Sequence, residues 1–345
     1  IADNSITDAK LNSSKLDGIA TSANNYTHPA THATADIADN AITEAKIADA
    51  AVVSLKSGRK NLIINGGFDV WQRGTSFTAN GDTFGADRWA IERENQTVTK
   101  EIASIGNIRC NSMKMLKTGS GAITAYHSIE DGTGVSAGGS LFNGKTLTLS
   151  YYARASGSSD NNGQAWLYYN NGSSSVQVAT CTDSLTTSWT KFTHTFTMPT
   201  NTETYANVYS LTLSLIRALD GNVSDSDWVE IAQVQLELGS VATDFEHRSY
   251  GEELALCQRY YQQVERTRGS GNRDAGANVC AFSHALKVEM RTTPTMSFIV
   301  QGNDYNYTNN AFANVTSTSV AALINITTAD AYWYYNHGYK ADAEL

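Results

Sequence analysis

Eleven residues at the start of the chain occur twice, on a period that matches neither a helix nor a strand. Ile1-Ala-Asp-Asn-Ser-Ile-Thr-Asp-Ala-Lys-Leu11 returns as Ile37-Ala-Asp-Asn-Ala-Ile-Thr-Glu-Ala-Lys-Ile47. A large aliphatic residue recurs at every fifth position: Ile1, Ile6, Leu11 and Leu16, then Ile37, Ile42, Ile47 and Val52. Helices repeat near 3.6 residues and strands at 2. One apolar residue in five does not let a single chain offset the entropy of ordering itself. Wound around two partner copies, the same stripe buries each aliphatic side chain against its symmetry mates. Residues 1–56 therefore read as the end of an elongated oligomeric shaft. The chain opens inside a repeat without an initiator Met, so further sequence is expected before it.

Composition narrows the rest. Charged residues make up 17% of the 345, Pro occurs three times, and Gly, Ser, Thr, Asn and Tyr are abundant. This is the profile of an extracellular β protein rather than a cytosolic metabolic enzyme. A formal charge of −9 argues against nucleic acid, whose phosphates call for clustered Lys and Arg. No apolar run approaches the roughly 20 residues that span a bilayer, so membrane insertion is not expected. Cys110, Cys181, Cys257 and Cys280 are scattered, without metal-site spacing, and read as free thiols.

From Asn61 to Phe245 the texture becomes that of short strands. Asn61–Trp71 reads as a strand, a glycine kink and a second short strand. Thr146–Arg154, Gln164–Tyr169, Trp189–Phe196, Val208–Ile216 and Trp228–Leu238 follow. Several alternate polar with apolar, and Gly/Asn/Ser clusters separate them. Many short strands with little helical periodicity predict a β-sandwich over 57–248, most simply a jelly roll.

Two boundary segments carry a family resemblance. Asn61–Trp71 with Gln72-Arg-Gly74 and Ala86-Asp-Arg-Trp89 resembles the opening of a domain found in tail fibres of tailed bacteriophages. Gln235–Arg248, followed by Gly251–Tyr261, resembles that domain's exit and the next fibre element. The shaft repeats and the final Ala341-Asp-Ala-Glu-Leu345 are similar to fibre sequences too. The resemblance implies a homotrimeric, virion-borne adhesin that contacts the host surface. Its partners would be its own copies, other tail or virion proteins at the N-terminal end, and a host surface glycan. The sandwich more distantly resembles carbohydrate-binding jelly rolls of the Asn-Gly-Gly-Phe-Glu type, which often hold a structural calcium. Asp69 stands at the acidic position as a candidate calcium ligand, but Ile231-Ala-Gln-Val234 lacks the second Asp, which weakens such a site.

A helix is expected over 249–266. Ser249 and Glu252 have capping-box spacing. Leu254, Cys257, Tyr261 and Val264 follow a 3-4-3 spacing, which suits either a collar around a threefold axis or a helix packed on its own sandwich. Arg266–Gly276 reads as an exposed loop. Residues 267–345 return to strands (Val279–Met290, Met296–Gln301, Val315–Thr327, Ala331–Tyr339). They look too small and polar for a large core of their own, so a β tip built from three copies is expected.

Sugars stack their C–H faces on exposed aromatic rings. Tyr305, Tyr307, Trp333, Tyr335 and His337 are therefore the first candidate receptor site. Trp333 and Tyr335 share one strand face and Tyr332 and Tyr334 the other, and one of the two must be buried. Trp166, Tyr168 and Tyr169, beside the 170–175 loop, form a second candidate. Trp71, Trp89 and Trp228 read as core. His28 and His32 could form imidazole rings on a threefold axis and ligate a transition metal there; the alternative is a solvated turn around Pro29. No nucleophile elbow, His-Glu-x-x-His or phosphate loop is present, and the pairs Glu252/Glu253 and Asp225/Asp227 read as surface charge. The sequence thus points to a non-enzymatic, trimeric phage fibre segment: shaft, jelly roll, helical collar and β tip. A structural virion fibre without receptor contact, a glycan depolymerase and a secreted bacterial adhesin are the alternatives.

Overall fold

The alternation seen in the sequence folds into two facing sheets. The computed structural model describes residues 59–344, apart from 80–82, 93–95, 120–122, 131–141, 143, 157–161, 171–174, 200–209, 216–226, 274–277, 301–306 and 328–330. The repeat blocks, His28, His32 and Tyr305 lie outside the described residues.

Sheet I has the order β1 (Ser76–Ala79), β4 (Gln96–Ile105), β5 (Ile108–Lys117), β12 (Trp228–Leu238), β7 (Thr146–Ala155), β10 (Thr190–Thr197). Sheet II has the order β2 (Thr83–Phe84), β3 (Trp89–Glu92), β6 (Thr124–Glu130), β11 (Ser210–Leu215), β8 (Asn162–Asn170), β9 (Ser175–Ser184). All pairings within them are antiparallel, and the chain passes repeatedly between the sheets. Leu147, Leu149 and Tyr151 of β7, Ile231 of β12, Leu167 of β8 and Leu211, Leu213 and Leu215 of β11 fill the space between them. Successive strand residues face opposite ways, so Tyr152 and Arg154 point outward from sheet I and Trp166 and Tyr168 outward from sheet II. The strands expected from Thr146 to Leu238 are all present. This is the predicted sandwich.

Asn61–Trp71 is not a pair of strands. Asn65 (φ +58°) and Phe68 (φ +55°) take left-handed backbone conformations that break the ladder. The Asn65 amide replaces the lost partners. Its Nδ2 donates to the carbonyls of Val70 (2.8 Å) and Asp87 (2.9 Å), and its Oδ1 accepts from the Val70 amide (3.0 Å). Trp89, wholly buried, donates from its indole to the Asn65 carbonyl (3.0 Å).

The helix α1 covers Tyr250–Gln258 and is shorter than expected. Ser249 caps it, accepting from the Glu252 amide (3.3 Å). Tyr261 and Val264 lie in strand β13 (Tyr261–Arg273), so the 3-4-3 seam does not continue along a helix. Glu253 instead turns onto the sandwich, accepting from the Asn65 amide (2.5 Å) and facing Arg248. In this chain α1 packs on its own sandwich. The loop expected at 266–276 is strand as far as Arg273.

Val53–Leu345 form one compact unit. Its C-terminal part pairs two small sheets: β13, β18 (Ala331–Asp342) and β15 (Thr295–Val300), and β14 (Asn278–Ala285), β17 (Ser319–Ile326) and β16 (Tyr307–Ala313). The core of this segment is small, as its size and polarity imply, and is split in two. Ile324, Ile326, Trp333 and Tyr335 form one cluster; Met290, Val320, Tyr339 and Ala341 form another. The Trp333 ring lies against Gly269 and Gly271 of β13, where an added Cβ would stand 3.2 Å and 3.1 Å from ring atoms. The Gly269 Cβ would also meet the Ala281 carbonyl at 2.3 Å. Glycine lets the two sheets close on the indole. A buried carboxylate joins the C-terminal part to the sandwich: Glu344 pairs with Arg88 and with Arg73 (3.2 Å). Both guanidiniums stack on tyrosines, Arg73 over Tyr261 and Arg88 over Tyr260, each at 3.6 Å.

Candidate functional site

Strand parity decides which predicted aromatics can meet a ligand. On β18 the inward row is Trp333, Tyr335 and His337, exposed by 5%, 0% and 3%. These three cannot form a receptor surface here, and that expectation is corrected. Tyr335 lies 4.9 Å from the His337 ring and 5.8 Å from Phe282, as core side chains do. Tyr332, on the opposite face, is 55% exposed. Tyr307 lies on β16, and its side chain, like all of Tyr305, is outside the described residues.

Trp166 and Tyr168 have the opposite fate. They stand two residues apart on β8, half-buried, with ring centroids 5.7 Å apart in an edge-to-face arrangement. Their cross-strand neighbours are Ser214 and Thr212 on β11 and Thr180 and Gln177 on β9. Tyr126 of β6 sits across Ser214. The outer face of sheet II thus combines three partly exposed aromatic rings with hydroxyl and amide side chains. Rings can take the C–H face of a sugar, and hydroxyls and amides can exchange hydrogen bonds with its hydroxyls. Tyr126, Thr212 and Ser214 escaped the sequence reading; their signal was the alternation in two further strands.

Beneath this face lies His127, wholly enclosed against Trp89 at a ring distance of 5.2 Å. Its Nε2 is 3.0 Å from the Ile64 carbonyl. Burial, reinforced by the Arg88 charge, holds this imidazole well below the ordinary 6.5, so it is neutral at physiological pH.

The outer face of sheet I is also aromatic, but charge covers it. Arg154 forms two hydrogen bonds to Glu230 Oε2 (2.9 and 2.6 Å), and the Ser112 hydroxyl donates to Oε1 (2.6 Å). The Arg154 guanidinium lies over Trp189 (4.9 Å) and Trp228 (5.5 Å), and the Lys114 ammonium over Trp228 (4.6 Å). Trp228, expected in the core, is therefore an outer-face residue at the start of β12. Trp71 packs partly buried against the core, and Trp89 is in it.

The surroundings of Asp69 do not fit calcium. Its Oδ1 accepts from the Asn111 amide (2.5 Å), and the Lys100 ammonium bonds its carbonyl oxygen (2.9 Å). Calcium calls for 6–8 oxygen donors, whereas this place offers one carboxylate beside an amide donor and a cation. No group of three or more His, Cys, Asp or Glu placed to hold a metal ion occurs among the described residues. Cys110, Cys181 and Cys257 are free thiols, and burial pushes all three up.

No protein-family model and no curated protein matches the chain. Several solved structures do. A CBM4 module matches 41% of this chain and 78% of its own, at 16% identity and a TM-score of 0.28. The CBM22-1 xylan-binding domain of Xyn10C from Paenibacillus barcinonensis matches 48% and 94%, at 16% identity and a TM-score of 0.32. The enzymatically active domain of tailspike protein 4 from bacteriophage CBA120 matches 52% and 21%, at 13% identity and a TM-score of 0.32. No helix among the described residues is long and apolar enough to cross a membrane.

Proposed function

We propose that this chain is part of a bacteriophage tail fibre that attaches the virion to a bacterial surface glycan through the outer face of sheet II. The half-exposed Trp166–Tyr168 pair, set among Thr212, Ser214 and Thr180, carries this reading. The boundary motifs at 61–89 and 235–261 and the repeats at 1–47 support the fibre assignment through their resemblance to fibre sequences. In this reading the chain acts as a homotrimer, anchored to other tail or virion proteins at its N-terminal end. It binds without cleaving. One site is weak, and three linked sites raise avidity without any new contact.

Adsorption of the protein to host cells, with a glycan array alongside, tests the reading. Binding should fall when Trp166 and Tyr168 are both replaced by Ala while the assembly persists. Unchanged adsorption of that variant would sink the site. A monomer in native sedimentation would remove the trimer, and reducing sugar released from host polysaccharide would make the protein a depolymerase.

A further inference from the structure

A cleft of about 220 Å³ opens in the sandwich away from the Trp166–Tyr168 pair, lined by Asp69, Arg109, Asn111, Gln233, Phe245 and His247 among others. Asn111 and Arg109 continue the row of Met113 and Met115, which faces the core. The cleft thus forms where that row runs past the core.

Gln233 is the unusual residue in it. The register of β12 against β7 shifts between Ala232 and Gln235, and Gln233 sits in this irregularity with φ +50°. A non-glycine residue held there costs on the order of 1–3 kcal/mol. Its side chain is 5% exposed, and its Nε2 has no hydrogen-bond partner among the described residues. A buried donor left without an acceptor costs about 1–3 kcal/mol more. Two local costs thus fall on one residue whose side chain lines a cavity. Folding alone would be better served by glycine, or by an apolar side chain of the same size. The donor is suited to an acceptor that arrives with a ligand.

The other lining groups say what kind of ligand. Asp69 Oδ1 accepts from the Asn111 amide, and Oδ2 is a second acceptor. A Cβ at Gly67 would stand 2.9 Å from that Oδ2 and 3.5 Å from the Phe245 ring, so glycine preserves this corner of the space. Phe245 forms an apolar wall with His247 edge-on at 5.0 Å, and Arg109 and His247 are exposed. Burial keeps the Cys110 thiol protonated, so it adds no charge. A carboxylate that accepts and an amide that donates match neighbouring hydroxyls, each of which does both. The aromatic wall matches the C–H face of the same ring. The volume suits a single sugar unit rather than an extended chain.

We propose that this cleft is a second carbohydrate site, which takes one neutral hexopyranose residue, such as the end of a glycan branch. It does not depend on the Trp166–Tyr168 face.

Ligand-observed NMR with D-glucose, D-galactose, N-acetyl-D-glucosamine and L-rhamnose tests it on the wild-type protein and three variants. At least one of these sugars should bind at millimolar concentration. Binding should persist when Trp166 and Tyr168 are both Ala, which separates this site from the first. Gln233→Leu should weaken it by roughly tenfold or more, while the melting temperature holds or rises because the orphaned donor is gone. Gly67→Ala should also reduce binding by filling the corner beside Asp69. The proposal is overturned if none of the four sugars binds, or if Gln233→Leu keeps full affinity. A fall of several degrees in the melting temperature of Gln233→Leu would overturn it too, since the amide would then serve the fold.

Discussion

The two outer faces of the sandwich are both aromatic, yet their rings are covered differently. On sheet I, Arg154 and Lys114 lie over Trp189 and Trp228, and Glu230 locks Arg154 through two hydrogen bonds. The rings there are already partnered by cations. On sheet II, Trp166 and Tyr168 stand edge to face among short hydroxyl side chains. An aromatic residue on a sheet surface is therefore not a binding residue by virtue of its ring. The groups lying over the ring decide.

The largest effect should come from breaking the clamp on sheet I. Arg154→Ala leaves the Glu230 carboxylate, 2% exposed, with the Ser112 hydroxyl as its one side-chain partner among the described residues. A loss of about 2–3 kcal/mol is expected, below the range for fully buried pairs because Arg154 is itself one-third exposed. Thermal unfolding should show it, with glycan affinity unchanged where the variant is folded. If affinity falls instead, the two faces have been assigned the wrong way round.

Replacing Trp166 and Tyr168 together by Ala should do the reverse. About 2 kcal/mol of affinity per site, or roughly thirtyfold, is expected with little change in melting temperature. Titration calorimetry against the glycan that the array identifies would measure it.

Acid should act on the imidazole buried beneath sheet II. The folded protein holds His127 neutral well below 6.5, whereas the unfolded chain binds a proton near 6.5. Below that pH the unfolded state carries more protons, so stability falls as pH falls, by up to about 1.4 kcal/mol per unit from this one group. Both sheets share one core, so the environments of Trp166 and of Trp189 and Trp228 should change together where acid unfolds the protein. In His127→Gln, urea melts between pH 6.5 and 5 should lose that part of the slope.

The sheet II face was legible in sequence because β8 is one regular strand, and its period of two puts Trp166 and Tyr168 together. The same period correctly paired Trp333 with Tyr335. It could not say which side was buried, because that depends on the glycines of a strand some sixty residues earlier, beneath the indole. Trp228 read as core, while its place at the head of β12 puts it on the outer face under Arg154 and Lys114. The 3-4-3 seam from Leu254 was too short to decide. Tyr261 favours extended backbone and opens β13, with Tyr260 in the turn that leaves the helix. The cleft was illegible. Its residues come from positions 67–69, 102–111, 233 and 245–247, brought together by a register shift that leaves no mark in composition.

The packing of Trp333 on Gly269 and Gly271 has a consequence for how such a chain can diversify. With no side chain to yield at either glycine, the indole cannot be exchanged for a new shape, and the neighbouring core rings are fixed almost as tightly. Variants selected for new targets should leave this densely aromatic segment alone. Their changes should gather instead on the short hydroxyl and amide side chains around Trp166, which can be swapped one at a time without disturbing the strands that carry them.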